Sequence, residues 1–203
     1  MLKSSIAVLV GFMALTANAF AQTETYAIDN DHTHIVWLVD RFGFTATIGT
    51  FTDISGMLEL DEANPENSSV IAEIALSGLR SDLQQREDIV RGEWWLNAAV
   101  NPIIRFESTS VDLLYGEDGA QAARISGTLS LAGMSAPASF VAELNRIAPD
   151  PVSGRRAAGF SAMGSFSRSD FEINTALGLV GDTVTFQIEL LALREEVEQE
   201  DSE

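Results

Sequence analysis

The constraint that dominates this chain is a hydrophobic period of two. In "VIAEIALS", Val70, Ala72, Ile74 and Leu76 alternate with Ile71, Glu73, Ala75 and Ser77. In "RISGTLSLAG", Ile125, Leu129 and Leu131 share one face while Ser126, Thr128 and Ser130 share the other. In "TVTFQIELLAL", Val184, Phe186, Ile188 and Leu190 alternate with Thr185, Gln187 and Glu189. Side chains that repeat every second residue belong to strands with one buried and one wet face. "PIIRFESTSV" and "SFVAEL" extend the pattern, with Ile104, Phe106, Phe140, Ala142 and Leu144 expected to face inward. Turn signals such as "DEANPENS", "YGEDGA", "LAGMSAP", "APDPVSGR" and "LVGDT" punctuate the runs at short intervals. Many short strands with turns between them predict an all-β fold, an antiparallel sandwich or barrel. One helical stretch is expected, Leu83 to Leu96, in which Gly92 weakens the middle and allows two short helices.

"HIVWLVD" departs from the pattern. Ile35, Trp37 and Val39 share one face, but Val36 and Leu38 make the other face apolar too. Either the helix covers that outer face or a second copy does, in which case the chain is a homodimer.

The segment preceding this strand raises a question about chemistry. "DHTHIV" holds both histidines of the chain, His32 and His34, two apart and so on one face of a continuous strand. A zinc site normally needs at least three protein donors, and there is neither a third histidine nor a cysteine. Carboxylates such as Asp29 or Asp31 would have to complete it. A metal-dependent enzyme built on His32 and His34 is therefore the minor reading. The nucleophile elbow G-x-S-x-G is absent, "GFSAMG" placing its second glycine one position late, and no phosphate-binding or dinucleotide fingerprint occurs. These residues give no positive reason to expect catalysis.

The opening "MLKSSIAVLVGFMALTANAFAQT" reads as an export signal, residues 1–21, with Lys3, an apolar run too short to span a bilayer, and cleavage expected after Ala21. Later stretches show no apolar run long enough for a membrane helix, so no integral membrane segment is expected after cleavage. The expected location is the periplasm. The formal charge of −18 becomes −19 when Lys3 leaves, which disfavours nucleic acid and anionic membranes as partners. Residues 22–193 are expected to form one barrel domain, and the final "REEVEQEDSE", residues 194–203, an acidic disordered tail.

A barrel of about eight strands either fills its interior with side chains or holds one ligand there. The aromatic residues Trp37, Phe42, Phe44, Phe51, Trp94, Trp95 and Phe106 suit a ligand cavity or an ordinary core, and periodicity does not choose between them.

Several segments together resemble the YceI-like family of exported bacterial proteins. They are "YAIDNDHTHIVWLV", "FGFTATIGTF", "QREDIVRGEWWLNAAVNPIIRFES", "ISGTLSLAGMSAPASF", and "GFSAMGSFSRSDFEI" followed by "VGDTVTFQIEL". The match runs in order from about Tyr26 to Leu193. The resemblance implies an antiparallel lipocalin-like β-barrel with a short helix. It also implies no catalytic role and no cofactor other than a bound polyisoprenoid, isoprenoid quinone or similar long-chain lipid. On that reading the aromatic cluster lines a pocket with Leu129 and Phe186. Arg86, Arg168 and His32 are then head-group candidates at its mouth, or else Arg86 and Arg168 are fixed in salt bridges to Glu87 or Asp170. Burying an apolar chain would contribute about 25 cal/mol per Å². The third reading is a filled-core barrel that binds a protein partner or itself. The chain departs from the family pattern at Arg41, Ile89-Val90, Ala136 and Glu172, changes that mostly remove polar head-group candidates.

Overall fold

The computed structural model describes residues 23–116 and 119–196. The expected export signal and the end of the acidic tail, residues 197–203, lie outside the described residues.

The alternating runs form strands as expected. In chain order these are β1 (Glu24–Ile28), β2 (His34–Arg41), β3 (Thr45–Phe51), β4 (Ile54–Leu60), β5 (Ser69–Ala75) and β6 (Leu79–Arg80). After the helix come β7 (Ile103–Gly116), β8 (Gly119–Leu131), β9 (Met134–Pro149), β10 (Arg156–Ser167) and β11 (Val180–Arg194). All pairings between these strands are antiparallel. The order β1-β4-β5-β7-β8-β9-β10-β11 returns to β1, and this closure makes an eight-stranded barrel. β2 and β3 continue β1 and β4 beyond a kink. β11 therefore pairs with β2 along Val180–Glu189 and with β1 at Ala192–Arg194.

The kink lies in "DHTHIV". Asn30–His32 form a 3₁₀ turn, with the Asp29 carboxylate accepting from the Asp31 N–H at 3.0 Å. Buried Thr33 replaces the missing ladder bonds, donating its hydroxyl to Leu191 O and accepting from Leu191 N. The Asn30 side chain accepts from the Ile54 N–H at 2.7 Å and so ties the kink to β4. The expected continuous strand is thus broken. His32 belongs to the turn and only His34 to β2, so the two do not share a strand face.

The helix α1 (Gln84–Arg91) ends where Gly92 caps it; the rest of the expected helical stretch is turns. Arg91 donates to Leu76 O and Leu79 O and pairs with Glu87, whose other oxygen accepts from Ser81 N. These contacts hold α1 against β6, across the end of the barrel, so the helix leaves the outer face of β2 uncovered. Val36 and Leu38 are instead half-buried by their cross-strand neighbours Thr50, Ile48, Gln187 and Thr185. β11 runs through Arg194, one residue beyond the expected domain boundary, and Arg194 pairs with Glu24 at 2.8 Å.

The buried core forms two clusters. Leu76, Ile104, Phe106, Leu129, Leu131, Phe171 and Ile173 pack at the helix end. Tyr26, Leu58, Leu60, Ala158 and Ala192 pack at the opposite end. Between them the barrel is not filled.

Candidate functional site

The interior holds a cavity of about 660 Å³. That lies within the ~300–1,000 Å³ typical of small-molecule sites. Its walls are the inward positions that alternation predicts, among them Ile35, Trp37, Val39, Ile104, Phe106, Ile125, Leu129, Phe140, Phe186 and Leu190. Two local devices keep it open. Alanines occupy inward positions on several strands, at Ala72, Ala138, Ala142 and Ala162. Glycines also let aromatic rings lie flat on the wall. Trp37 faces Gly49 across β2–β3, and a Cβ on Gly49 would fall 2.0 Å from Trp37 Cζ2. Phe186 covers Gly164, and Phe106 covers Gly127, with corresponding distances of 2.7 and 2.6 Å. Laying the indole against the wall leaves Trp37 Nε1 buried with no hydrogen-bond partner. Phe106, Phe140, Phe186, Phe166 and Phe171 continue around the interior, with neighbouring centroids 5.1 to 6.5 Å apart.

The helix end is closed. Val90, Trp95, Leu96, Leu79 and Ile173 line the cavity there. Arg168 seals the adjoining loop, donating from Nε to Gly181 O, from Nη1 to Ile173 O and Thr175 O, and from Nη2 to Val180 O, at 2.9–3.2 Å. Only 4% exposed, it also stacks on Trp95, 5.1 Å from the ring centroid. Burial lowers its pKa, and the Asp182 carboxylate opposes that shift. Arg168 lines the cavity at its floor rather than its mouth, and its donors are largely committed to carbonyls.

The mouth is at the other end. The lining residues that are also exposed are Glu62, Ser69 and Leu144 (53% exposed), all at the β4–β5 loop end. There Glu62 takes a forked contact from Arg156, whose Nε and Nη2 donate at 2.6 to 2.9 Å. Arg156 also lies 3.9 Å from Glu24, which Arg194 pairs. The Tyr26 hydroxyl donates to Glu24 at 3.2 Å and lies 3.5 Å from Glu62. Burial raises the Tyr26 pKa; the bond to Arg156 opposes the rise and Glu24 adds to it. Buried Asp61 shapes the loop, accepting from Ala63 N, Asn64 N and the Asn64 and Asn67 amides. These bonds, led by the Asn64 N–H, hold its carboxyl below the usual range.

Of the residues singled out from sequence, Trp37, Phe51, Trp95, Phe106, Leu129, Phe186 and Arg168 line the cavity. The others do not. Phe42 and Phe44 form the tip of the β2–β3 hairpin, where Phe44 is 86% exposed. Trp94 is 76% exposed on the helix-end loop. Arg86 donates to Ser81 O at 3.0 Å, outside the cavity. The expected pairs with Glu87 and Asp170 are replaced. Glu87 is held by Arg91, and Arg168 reaches carbonyls, which sit at the right distance once the chain after β10 turns back. His32 is 70% exposed beside the kink, its Nδ1 2.8 Å from the Asp29 carboxylate that raises its pKa. His34 faces solvent. Among the described residues, no three His, Cys, Asp or Glu side chains converge as a metal site requires. The Glu62–Arg156 pair went unanticipated, because its partners stand 94 residues apart and neither belongs to a motif.

Eight antiparallel strands closed around an apolar cavity, open at the β4–β5 loop end, define a lipocalin-like barrel. The chain belongs to the YceI-like family, whose domain model matches residues 26–192. A UPF0312 protein of Ectopseudomonas mendocina is 31% identical over 197 residues, covering 96% of this chain and 100% of that protein. A UPF0312 protein of Azotobacter vinelandii is 30% identical over the same length and coverage. Among solved structures, BcnA of Burkholderia cenocepacia superposes with a TM-score of 0.71 at 18% identity, over 81% of this chain and 98% of that one. A polyisoprenoid binding domain from Saccharophagus degradans gives 0.61 at 14% identity, over 84% and 98%.

Proposed function

We propose that this protein is an exported, non-catalytic carrier or store for a polyisoprenoid, isoprenoid quinone or similar long-chain lipid, held lengthwise in the barrel. One observation carries the reading: the barrel encloses a cavity of about 660 Å³ with almost wholly apolar walls. A filled-core interaction protein would have no use for alanines and wall-hugging rings at inward positions. The name of the Saccharophagus degradans domain, which shares the fold, points the same way. The signal-like N-terminus supports a periplasmic location.

Organic extraction of the protein purified from isoprenoid-rich cells, followed by mass spectrometry, tests the proposal. A long-chain isoprenoid near one per protein is expected. Phe106→Arg, which places a guanidinium on the cavity wall, should reduce retained lipid to background, whereas Phe44→Ser at the exposed hairpin tip should leave it unchanged. A lipid-free extract of the unaltered protein, or full retention by a folded Phe106→Arg variant, would overturn it.

A further inference from the structure

The lining of the cavity is asymmetric in charge. At the mouth it includes two acidic residues, Asp61 and Glu62, and among the described residues no cation lines it there; the Glu59 carboxylate turns outward to accept from Thr25. The one cation in the lining, Arg168, is at the closed end and is committed to four carbonyls. The cation that contacts the lining at the mouth, Arg156, is held by Glu62 through both Nε and Nη2 at 2.6 to 2.9 Å, with Glu24 at 3.9 Å behind it. A guanidinium fork is the side chain best suited to a phosphate, and here a carboxylate of matching geometry already occupies it. An anionic head group entering this mouth would displace Glu62 and leave that carboxylate beside Glu24 and its neighbour Asp61. The chain as a whole, at −18, adds an unfavourable long-range field.

We propose that the mouth accepts lipids with an uncharged head group, an alcohol or a quinone carbonyl, and rejects phosphate and diphosphate esters of the same chain. Glu62 is the specificity-determining residue, through its hold on Arg156. The proposal rests on the lipid-cavity reading and adds the chemistry of the ligand's polar end. Glu62 is exposed and bonded only at its carboxylate end, so its replacement leaves the barrel wall intact.

The test compares two probes of equal chain length, geranylgeraniol and geranylgeranyl diphosphate, on the delipidated full chain. Binding is followed by quenching of Trp37 and Trp95, which line the cavity. The alcohol should bind the unaltered protein at least tenfold more tightly. Glu62→Gln should tighten diphosphate binding about tenfold and so narrow the alcohol-to-diphosphate ratio, and adding Arg156→Gln should abolish that gain. Equal or tighter diphosphate binding by the unaltered protein, or an unchanged ratio in Glu62→Gln, overturns the selectivity while leaving the lipid cavity in place. Failure of both probes to bind overturns the lipid-cavity reading and the proposal with it.

Discussion

Replacing Gly49 by alanine adds one methyl group and should reshape the cavity. The new Cβ would fall 2.0 Å from Trp37 Cζ2, 2.3 Å from Cε2 and 2.6 Å from Arg80 O. Carbon atoms in contact prefer about 3.5 Å or more, so the indole must retreat by roughly 1.5 Å. Relieving the contact with Arg80 O also requires a shift of β6, which joins β3 only at Thr50–Arg80 and Phe51–Leu79. The free direction for the indole is into the cavity. Overpacking of this kind costs about 1–3 kcal/mol. At ~2–4 °C per kcal/mol for a domain of this size, the melting temperature should fall by roughly 2–12 °C. The inward ring also takes space from ligand. At about 0.8 kcal/mol per methylene, losing the seat of one five-carbon unit costs up to roughly 4 kcal/mol of binding. The assays are thermal unfolding of the lipid-free protein, tryptophan emission, and retained lipid per protein. Gly159→Ala is the matched control, since its nearest neighbours would be 4.0 Å away and its φ lies outside the left-handed range, although it adjoins the irregularity in the β9–β10 ladder. If Gly49→Ala matches the unaltered protein in melting temperature and lipid content, the claim that glycine keeps this cavity open is wrong.

Two further outcomes follow from local geometry. Glu172 occupies a left-handed conformation, φ 57° and ψ 16°, after the 3₁₀ turn Arg168–Phe171, so Glu172→Gly should stabilise the fold by about 0.5–1 kcal/mol; an unchanged or lower urea midpoint would refute this. His32 has its pKa raised by Asp29, first through the hydrogen bond and then through charge. Its stabilising contribution is therefore complete below the unfolded value of about 6.5 and is lost as pH rises through the higher folded value. The melting-temperature advantage over His32→Gln should be larger near pH 5 than near pH 9, and a difference independent of pH would count against the pair.

Alternation revealed much of the cavity wall because it is a local property. Ile104 and Phe106, or Val184, Phe186 and Ile188, face inward simply by being two apart in an unbroken strand. Residues outside such runs were not legible. Phe42, Phe44 and Trp94 share their chemistry with Trp37 and Phe106, yet they sit in a hairpin tip and a loop where no neighbour's orientation constrains theirs. In "DHTHIV" the alternation argument failed because Asp29 draws the next residues into a turn. The mouth depends on Glu62 meeting Arg156, a contact between distant strands that only barrel closure creates.

The pairing of rings with glycines across neighbouring strands has a consequence for how such a barrel diversifies. On the proposed function, its capacity would depend less on the large residues lining the cavity than on three positions, Gly49, Gly127 and Gly164, that have no side chain at all. Substitution at any of them would press on one ring, and at Gly49 and Gly127 on the neighbouring backbone as well, at Arg80 O and Glu107 O, so that cavity length and strand spacing change together. Barrels of this kind could thus be graded by guest length, one methyl group at a time.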